Sequence, residues 1–365
     1  MNFSKLVLIV LTVSLFFVSC TNDDTIEETP LGSYDNGFLI LNQGGFGHND
    51  ASISYVSSDF SIAQNDVFSV VNPTITLGDV GQDVGFNNEL AYVVLNGSNK
   101  IEIVNRYTLK SVGIINSGLK NPRYIAFANG KGYVTNWGDG SVTTDDYVAV
   151  IDLTTNKVSS SIPVEEGPER ILENSGKLYV AHKGGYGYGN KISVINSASN
   201  TVSTTITVGD IPENMVIKEG TLWVACSGNP SYVSAPLAET AGQIVKVNLS
   251  TNTVTNTIAY SDATKHLSNL VLNGNDVYYT IDSDIYKMSA TATALPTTSA
   301  FSTTAQGVYG VYSFAIHGSH IYVGDAGDYQ HNGKVYVYAL NPPSIGSLEK
   351  TLSVGVIPAG FYFND

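Results

Sequence analysis

"PENMVIKEGTLWVACS", residues 212–227, decides the fold. Pro212 opens a short run that turns at Glu219-Gly220 and returns through Leu222, Trp223 and Val224. A Gly-bearing turn between two such runs signals a β-hairpin. Downstream, "IVKVNLS" (244–250) and "TVTNTIA" (253–259) add two more runs around Thr251-Asn252. The unit therefore reads as four antiparallel strands, A to D in chain order. The copy before it reads the same way: "PERILEN", "LYVAHK", "KISVINS" and "TVSTTITVG".

The triplet at the heart of strand B recurs as "FLI" (38–40), "AYV" (91–93), "GYV" (132–134), "LYV" (178–180), "LWV" (222–224), "VYY" (277–279) and "IYV" (321–323). Successive centres lie 53, 41, 46, 44, 55 and 44 residues apart. A fixed period of this length marks a repeat protein, and four strands per repeat mark a propeller blade. The predicted fold is all-β, a seven-bladed β-propeller. The chain ends in "VGVIPAGFYFND", which matches "VGDIPEN" and supplies only a strand A. Its first strand, "GFLILNQ", matches only B. The C-terminal strand should therefore join the N-terminal blade and close the ring, leaving no open sheet edge between first and last blades. A two-domain β-sandwich would not keep one register over the whole chain.

Composition agrees. Charged residues are 14% of the 365, against 35 Gly and 22 Tyr, as suits many short strands and tight turns. The net charge of −14 repels phosphate backbones and excludes nucleic acid as a partner. Two cysteines, Cys20 and Cys226, offer no disulfide framework.

The N-terminus predicts export. "MNFSKLVLIVLTVSLFFVSC" places Lys5 before an apolar run and ends in Ser19-Cys20, a lipoprotein processing pattern. Residues 1–19 are read as a signal peptide. Residues 20–34 are read as an acidic flexible tether with a lipidated Cys20, and 35–365 as the propeller. The acidic "TNDDTIEET" behind Cys20 resembles the surface-export signal of Bacteroidetes lipoproteins, which implies a lipid-anchored chain at the outer membrane, exposed at the cell surface.

The two faces of such a propeller should differ. The A–B and C–D turns are short, built on Gly, Asn and Ser. The B–C connections on the other face are mostly long and carry aromatics: Phe46, Trp137, Tyr186 with Tyr188, Tyr232 and Tyr329. Scaffold turns need no aromatics, and a convergent rim of rings is a binding surface. The D–A connections open on that face too. They place Gln82-Asp83, Arg123-Tyr124, Glu169-Arg170, Glu213-Asn214, Ser268-Asn269 and Tyr312-Ser313 at the channel mouth. The candidate ligand-binding residues are Gln82, Asp83, Arg123, Tyr124, Trp137, Arg170, Tyr186, Tyr188, Asn214, Tyr232, Asn269, Asp328, Tyr329 and Gln330.

Motifs for common chemistries are absent: no GxSxG, CxxC, HExxH or GxxxxGK[ST] occurs. Asp139, Asp145 and Asp146 do not follow the EF-hand spacing. No catalytic residue, metal ligand or cofactor is expected.

"YVTN" at 133–136 is the signature of the YVTN-type propeller repeat family. A closer resemblance spans almost the whole mature chain. "LGDVGQ" (77–82), "NPRYIAF" (121–127), "YVTNW" (133–137), "DAGDYQHNGKVYVY" (325–338) and "VGVIPAGF" (354–361) resemble the Bacteroidetes surface lipoprotein propellers that capture cobalamin, the BtuG-like type. That resemblance implies a non-enzymatic, monomeric propeller that binds cobalamin or another corrinoid and passes it to a TonB-dependent outer-membrane transporter. Its only contact with membrane would be the lipid anchor. Asp328 and Gln330 enter the candidate set through this resemblance, which also covers Tyr329. Glu169, Glu213, Asn214 and Asn269 also resemble, in type, the metal-holding set of propeller lactonases. A surface scaffold for protein or glycan, and a metal-dependent hydrolase at the channel mouth, are the competing expectations.

Overall fold

The repeat unit read at residues 212–259 is one of seven four-stranded antiparallel sheets in a computed structural model. The structure describes residues 30–231, 238–341, 343 and 345–364. The expected signal peptide, Cys20 and most of the tether lie outside them, as does Tyr232. In blade 5, Pro212–Lys218 pairs with Thr221–Cys226, then Gln243–Asn248, then Thr253–Ala259. The innermost strands of blades 2 to 7 are Gly81–Asn87, Pro122–Ala128, Pro168–Asn174, Pro212–Lys218, Ser268–Asn273 and Ser313–His317. Blade 1 takes its inner strand, Pro358–Phe363, from the end of the chain and its second strand, Gly37–Asn42, from the beginning. The pairing runs from Phe38 opposite Phe363 to Asn42 opposite Pro358, so the ring closes as the sequence predicted.

The core lies between the blades. Seven apolar clusters fill the seven interfaces, each drawing side chains from two adjacent sheets. Tyr179 and Val194 of blade 4, for example, meet Met215, Val224 and Val245 of blade 5. Phe38 and Ile40 of blade 1 meet Tyr322, Val335 and Leu352 of blade 7. The second strands are therefore buried on both faces, whereas an outer strand such as Thr201–Thr207 is almost wholly exposed.

The Tyr at the centre of strand B has a specific task. Its ring is buried, so its hydroxyl needs a partner, and it finds one in the C–D turn of the next blade. Tyr92 donates to Asn156 Oδ1 (3.4 Å), Tyr133 to the Ser197 carbonyl (3.0 Å) and Tyr179 to the Leu249 carbonyl (3.4 Å). Asn156, Asn200 and Asn252 shape those turns at φ 52°, 53° and 54°, a conformation Asn tolerates better than most residues. Tyr133→Phe keeps the ring but removes the hydroxyl's hydrogen bonds with the Ser197 carbonyl and Asn200. The expected cost is about 1–2 kcal/mol, read as a lower urea midpoint; an unchanged midpoint would show that the hydroxyl contributes nothing.

Residues 31–34 fold onto the propeller, although the sequence placed them in the tether. The Tyr34 N–H donates to the Tyr107 carbonyl (2.8 Å), and its ring meets Tyr55 edge-on at 5.2 Å.

Candidate functional site

Six inner strands begin with a break in register against the second strand of their own blade. The breaks fall between Gly81 and Asp83, Pro122 and Ile125, Pro168 and Ile171, Pro212 and Asn214, Ser268 and Val271, and Pro358 and Gly360. A β-bulge re-aims the side chains it contains. Here the residues in and beside the bulges turn toward the channel mouth: Gln82, Arg123, Tyr124, Glu169, Arg170, Glu213, Asn214 and Asn269.

The backbone just before these strands is left-handed. Val80, Asn121, Ile211 and Ile357 have φ of 53°, 50°, 52° and 57°, which for Val and Ile costs on the order of 1–3 kcal/mol each. Hydrogen bonds hold the conformation. The carbonyls of Val80, Asn121, Ile211 and Ile357 accept the N–H groups of Asn96, Trp137, Ser227 and Gln43, at 2.7–3.1 Å. Each donor sits at or near the end of a second strand. The start of the inner strand and the root of the long loop are thus tied together.

The result is a cavity of about 670 Å³ at the channel mouth on the long-loop face. Of the candidates named from sequence, Gln82, Arg123, Tyr124, Trp137, Arg170, Tyr186, Asn214 and Asn269 line it. Its charges are arranged, not scattered. Arg123 clamps Glu169 with two hydrogen bonds, Nε to Oε2 at 2.9 Å and a terminal nitrogen to Oε1 at 2.7 Å. Burial pushes the Glu169 carboxyl up, but Arg123 and then Lys183, 3.9 Å from Oε1, together hold it below the usual range. The Arg123 guanidinium also lies over the Trp137 ring at 4.2 Å. Trp137 in turn donates from Nε1 to the Pro168 carbonyl (3.1 Å) and meets Tyr186 edge-on at 5.7 Å. Tyr124 accepts from Gln82 Nε2 (3.0 Å) and carries the Arg170 guanidinium over its ring at 4.2 Å.

Other candidates fall elsewhere. Asp83 is buried beneath the cavity, where it accepts from the Ile125 N–H (3.0 Å) and the Tyr362 hydroxyl (3.2 Å); it supports the floor and does not face a ligand. Tyr188 is exposed and off the cavity wall. Asp328 and Gln330 stay within their own turn, Asp328 accepting the Gln330 and His331 N–H groups and pairing with His331 Nδ1 at 2.7 Å. Tyr329 reaches the site indirectly, edge-on to Tyr312 at 5.8 Å. Sequence reading missed Gln43, Lys183 and Tyr362, which line the cavity. Lys183 follows directly on a second strand, as Trp137 does, and that equivalence was a usable signal. Tyr362 and the Gln43–Tyr312 hydrogen bond depend on ring closure across more than 250 residues.

The lactonase-like set does not form a metal cradle here. Both Glu169 oxygens face Arg123, and among the described residues no three His, Cys, Asp or Glu side chains stand together as metal ligands. Asp139, Asp145 and Asp146 likewise serve the backbone: Asp145 accepts from the Asp139 N–H and Asp146 from the Gly167 N–H. Asp146 is 3% exposed, and its Oδ1 has no partner. Burial pushes its pKa up to about 6, against the pull of the Gly167 N–H and helped by Asp145 and Glu166. The raised value means that its stabilising, protonated form is complete near pH 4 and lost as pH rises through about 6. Asp146→Asn should therefore match wild type in thermal stability near pH 4 and exceed it at pH 7, by on the order of 1–2 kcal/mol. Equal differences at both pH values would contradict this.

Solved structures share the fold at low identity. A functionally unknown protein from Desulfotomaculum acetoxidans is 13% identical with a TM-score of 0.60, covering 88% of this chain and 99% of that one. Kuenenia stuttgartiensis hydrazine synthase is 15% identical with a TM-score of 0.56, covering 74% and 85%. Apo AztD from Citrobacter koseri is 10% identical with a TM-score of 0.54, covering 89% and 97%. At such identities the likeness is one of fold alone. No curated protein matches the chain. Residues 36–340 match the model of a domain of unknown function, DUF5074, and the propeller carrying this cavity belongs to that family.

Proposed function

We propose that the long-loop face binds cobalamin or a related corrinoid, and that the protein is a lipid-anchored surface receptor passing its ligand to a TonB-dependent outer-membrane transporter. One observation carries the reading: a single broad concavity joins an aromatic rim to a fixed polar floor. Its volume of about 670 Å³ falls within the usual range for ligand pockets. Trp137 and Tyr186 offer apolar faces to a flat macrocycle, while Gln82, Asn214 and Asn269 offer amide partners to its amide side chains. The sequence segments that resemble cobalamin-capturing lipoproteins and YVTN-type repeats include the inner strand "NPRYIAF" and the loop root "YVTNW", both of which border this cavity. The proposal is a binding protein and not an enzyme. The Glu169 carboxylate is fully engaged, which favours recognition over acid–base work.

A second reading rests on the exposed rings around the mouth. Phe46, Tyr186 and Tyr329 are 83%, 79% and 56% exposed, and a protein or glycan lying across the face would cover them.

Isothermal titration of the full chain with cyanocobalamin separates the two. Saturable binding at micromolar protein is expected, with Trp137→Ala weakening it at least about tenfold, as removal of an anchoring aromatic does. Absence of heat from the wild type would overturn the corrinoid reading.

A further inference from the structure

Arg170 differs from the other cations of the cavity. Arg123 spends its donors on Glu169, and Lys183 faces the same carboxylate. The Arg170 guanidinium carbon lies over the Tyr124 ring, 4.2 Å from its centroid, yet none of the described residues accepts a hydrogen bond from it or forms an ion pair with it. Its Nε is sealed from solvent and has no partner. The neighbours that could serve it are occupied. Asp83 gives its two oxygens to the Ile125 N–H and the Tyr362 hydroxyl, and Glu169 gives both to Arg123. Asp83 and Glu169 therefore balance the Arg170 charge through space without taking its protons. Tyr124 cannot swing away, because Gln82 holds its hydroxyl and its N–H donates to Thr135 Oγ1 at 3.0 Å.

A guanidinium presents donors in a rigid fork that fits two oxygens of one anion. An unpaired polar donor is normally satisfied in a native protein. A fork kept unpaired over the Tyr124 ring on the floor of a cavity is organised for an acceptor that arrives from outside.

We propose that Arg170 is the anchor of an oxyanion subsite, accepting a carboxylate or a phosphate ester of the bound ligand in a bidentate pair. The subsite rests on the reading of this cavity as a ligand site, and not on the ligand being a corrinoid. Tyr124 supports the guanidinium from below, and the Arg123–Glu169 clamp keeps the neighbouring charges from competing for it.

Inorganic phosphate and acetate are the direct probes, titrated against the full chain by intrinsic fluorescence, with Trp137 beside the site. Wild type should show saturable binding of at least one of them. Phosphate alone would assign an ester and acetate alone a carboxylate. Arg170→Gln should weaken that binding at least tenfold. Arg170→Lys retains the charge without the fork and guards against misfolding of the first variant; it should still weaken binding severalfold. No saturable binding of either anion to wild type, or equal binding by wild type and both variants, overturns the subsite. Corrinoids separate this proposal from the one above, because cyanocobalamin carries a phosphodiester and cobinamide lacks it. Wild type that binds phosphate but neither corrinoid keeps the subsite and sinks the corrinoid reading. An Arg170→Gln variant that binds cyanocobalamin, phosphate and acetate as wild type does keeps the corrinoid reading and sinks the subsite.

Discussion

A chain ending at Ile357 is expected not to form a stable propeller. The lost segment is the inner strand of blade 1, and its pairing partner Gly37–Asn42 is buried at every position. Removal strips one side of that strand of its hydrogen-bond ladder and exposes the apolar packing between blades 1 and 7, where Phe361 and Phe363 lie against Phe38 and Tyr322. The closing latch goes too. Asn364 donates its N–H to the Gly37 carbonyl (2.8 Å) and its side-chain nitrogen to the Tyr34 (2.8 Å) and Arg106 (2.9 Å) carbonyls, while its Oδ1 accepts from Arg106 Nε (2.7 Å). The Arg106 guanidinium itself stacks on Phe86 of blade 2 at 3.8 Å. Several bonds on one buried side chain make Asn364→Ala the graded version of the deletion, at a cost of about 2–4 kcal/mol. The deletion should elute as aggregate with no cooperative melt. A monomeric peak with a sharp transition would show that six intact blades suffice.

The second large effect is expected at Glu169. Glu169→Gln leaves the Arg123 charge with half its hydrogen bonding and no counter-charge. The two side chains are 4% and 13% exposed, so the loss should approach the about 3–5 kcal/mol seen when one partner of a buried ion pair is removed. Because the folded carboxyl is held below its ordinary range, its contribution in wild type is present above about pH 4 and fades as pH falls. The urea midpoints of wild type and variant should therefore converge in acid. The paired substitution Arg123→Met with Glu169→Leu should recover most of the stability, because burying no charge costs less than burying one alone. It should not recover ligand binding, since Trp137 loses the cation above its ring. A double variant as unstable as the single one would mean that the charges are not the source of the loss.

The fold was legible because its signals are local. Strand B shows itself at Tyr133 or Trp223 within six residues, and the Gly and Asn turns bracket it, so a period could be counted without any long-range knowledge. The rim was legible for the same reason: Trp137 stands directly after a second strand, in a loop longer than any turn requires. The floor was less so. Arg123, Arg170 and Asn269 could be placed at the mouth from the repeat, but that Asp83 lies beneath it and not in it depends on which residue of the bulge turns outward. Sequence spacing does not record that choice. Asp328 and Gln330 entered the candidate set by resemblance; Asp328 spends its oxygens within its own turn, and neither residue lines the cavity. The unpartnered state of Arg170 was invisible, since it follows from what Asp83, Tyr362 and Glu169 do with their own hydrogen bonds, and these come from three blades.

The latch at Asn364 has a consequence for how the molecule can be handled. Tyr34, Tyr107 and Asn364 meet on the side of the short turns, so the chain enters and leaves the ring on the side away from the Trp137 rim. A fusion or biotin handle ahead of Leu31 leaves the mouth unobstructed and aims it at the solution when the molecule is immobilised. The same handle behind Asn364 crowds the residue that fastens the ring. Display from the front end is therefore the orientation in which a sensor surface should report ligand capture.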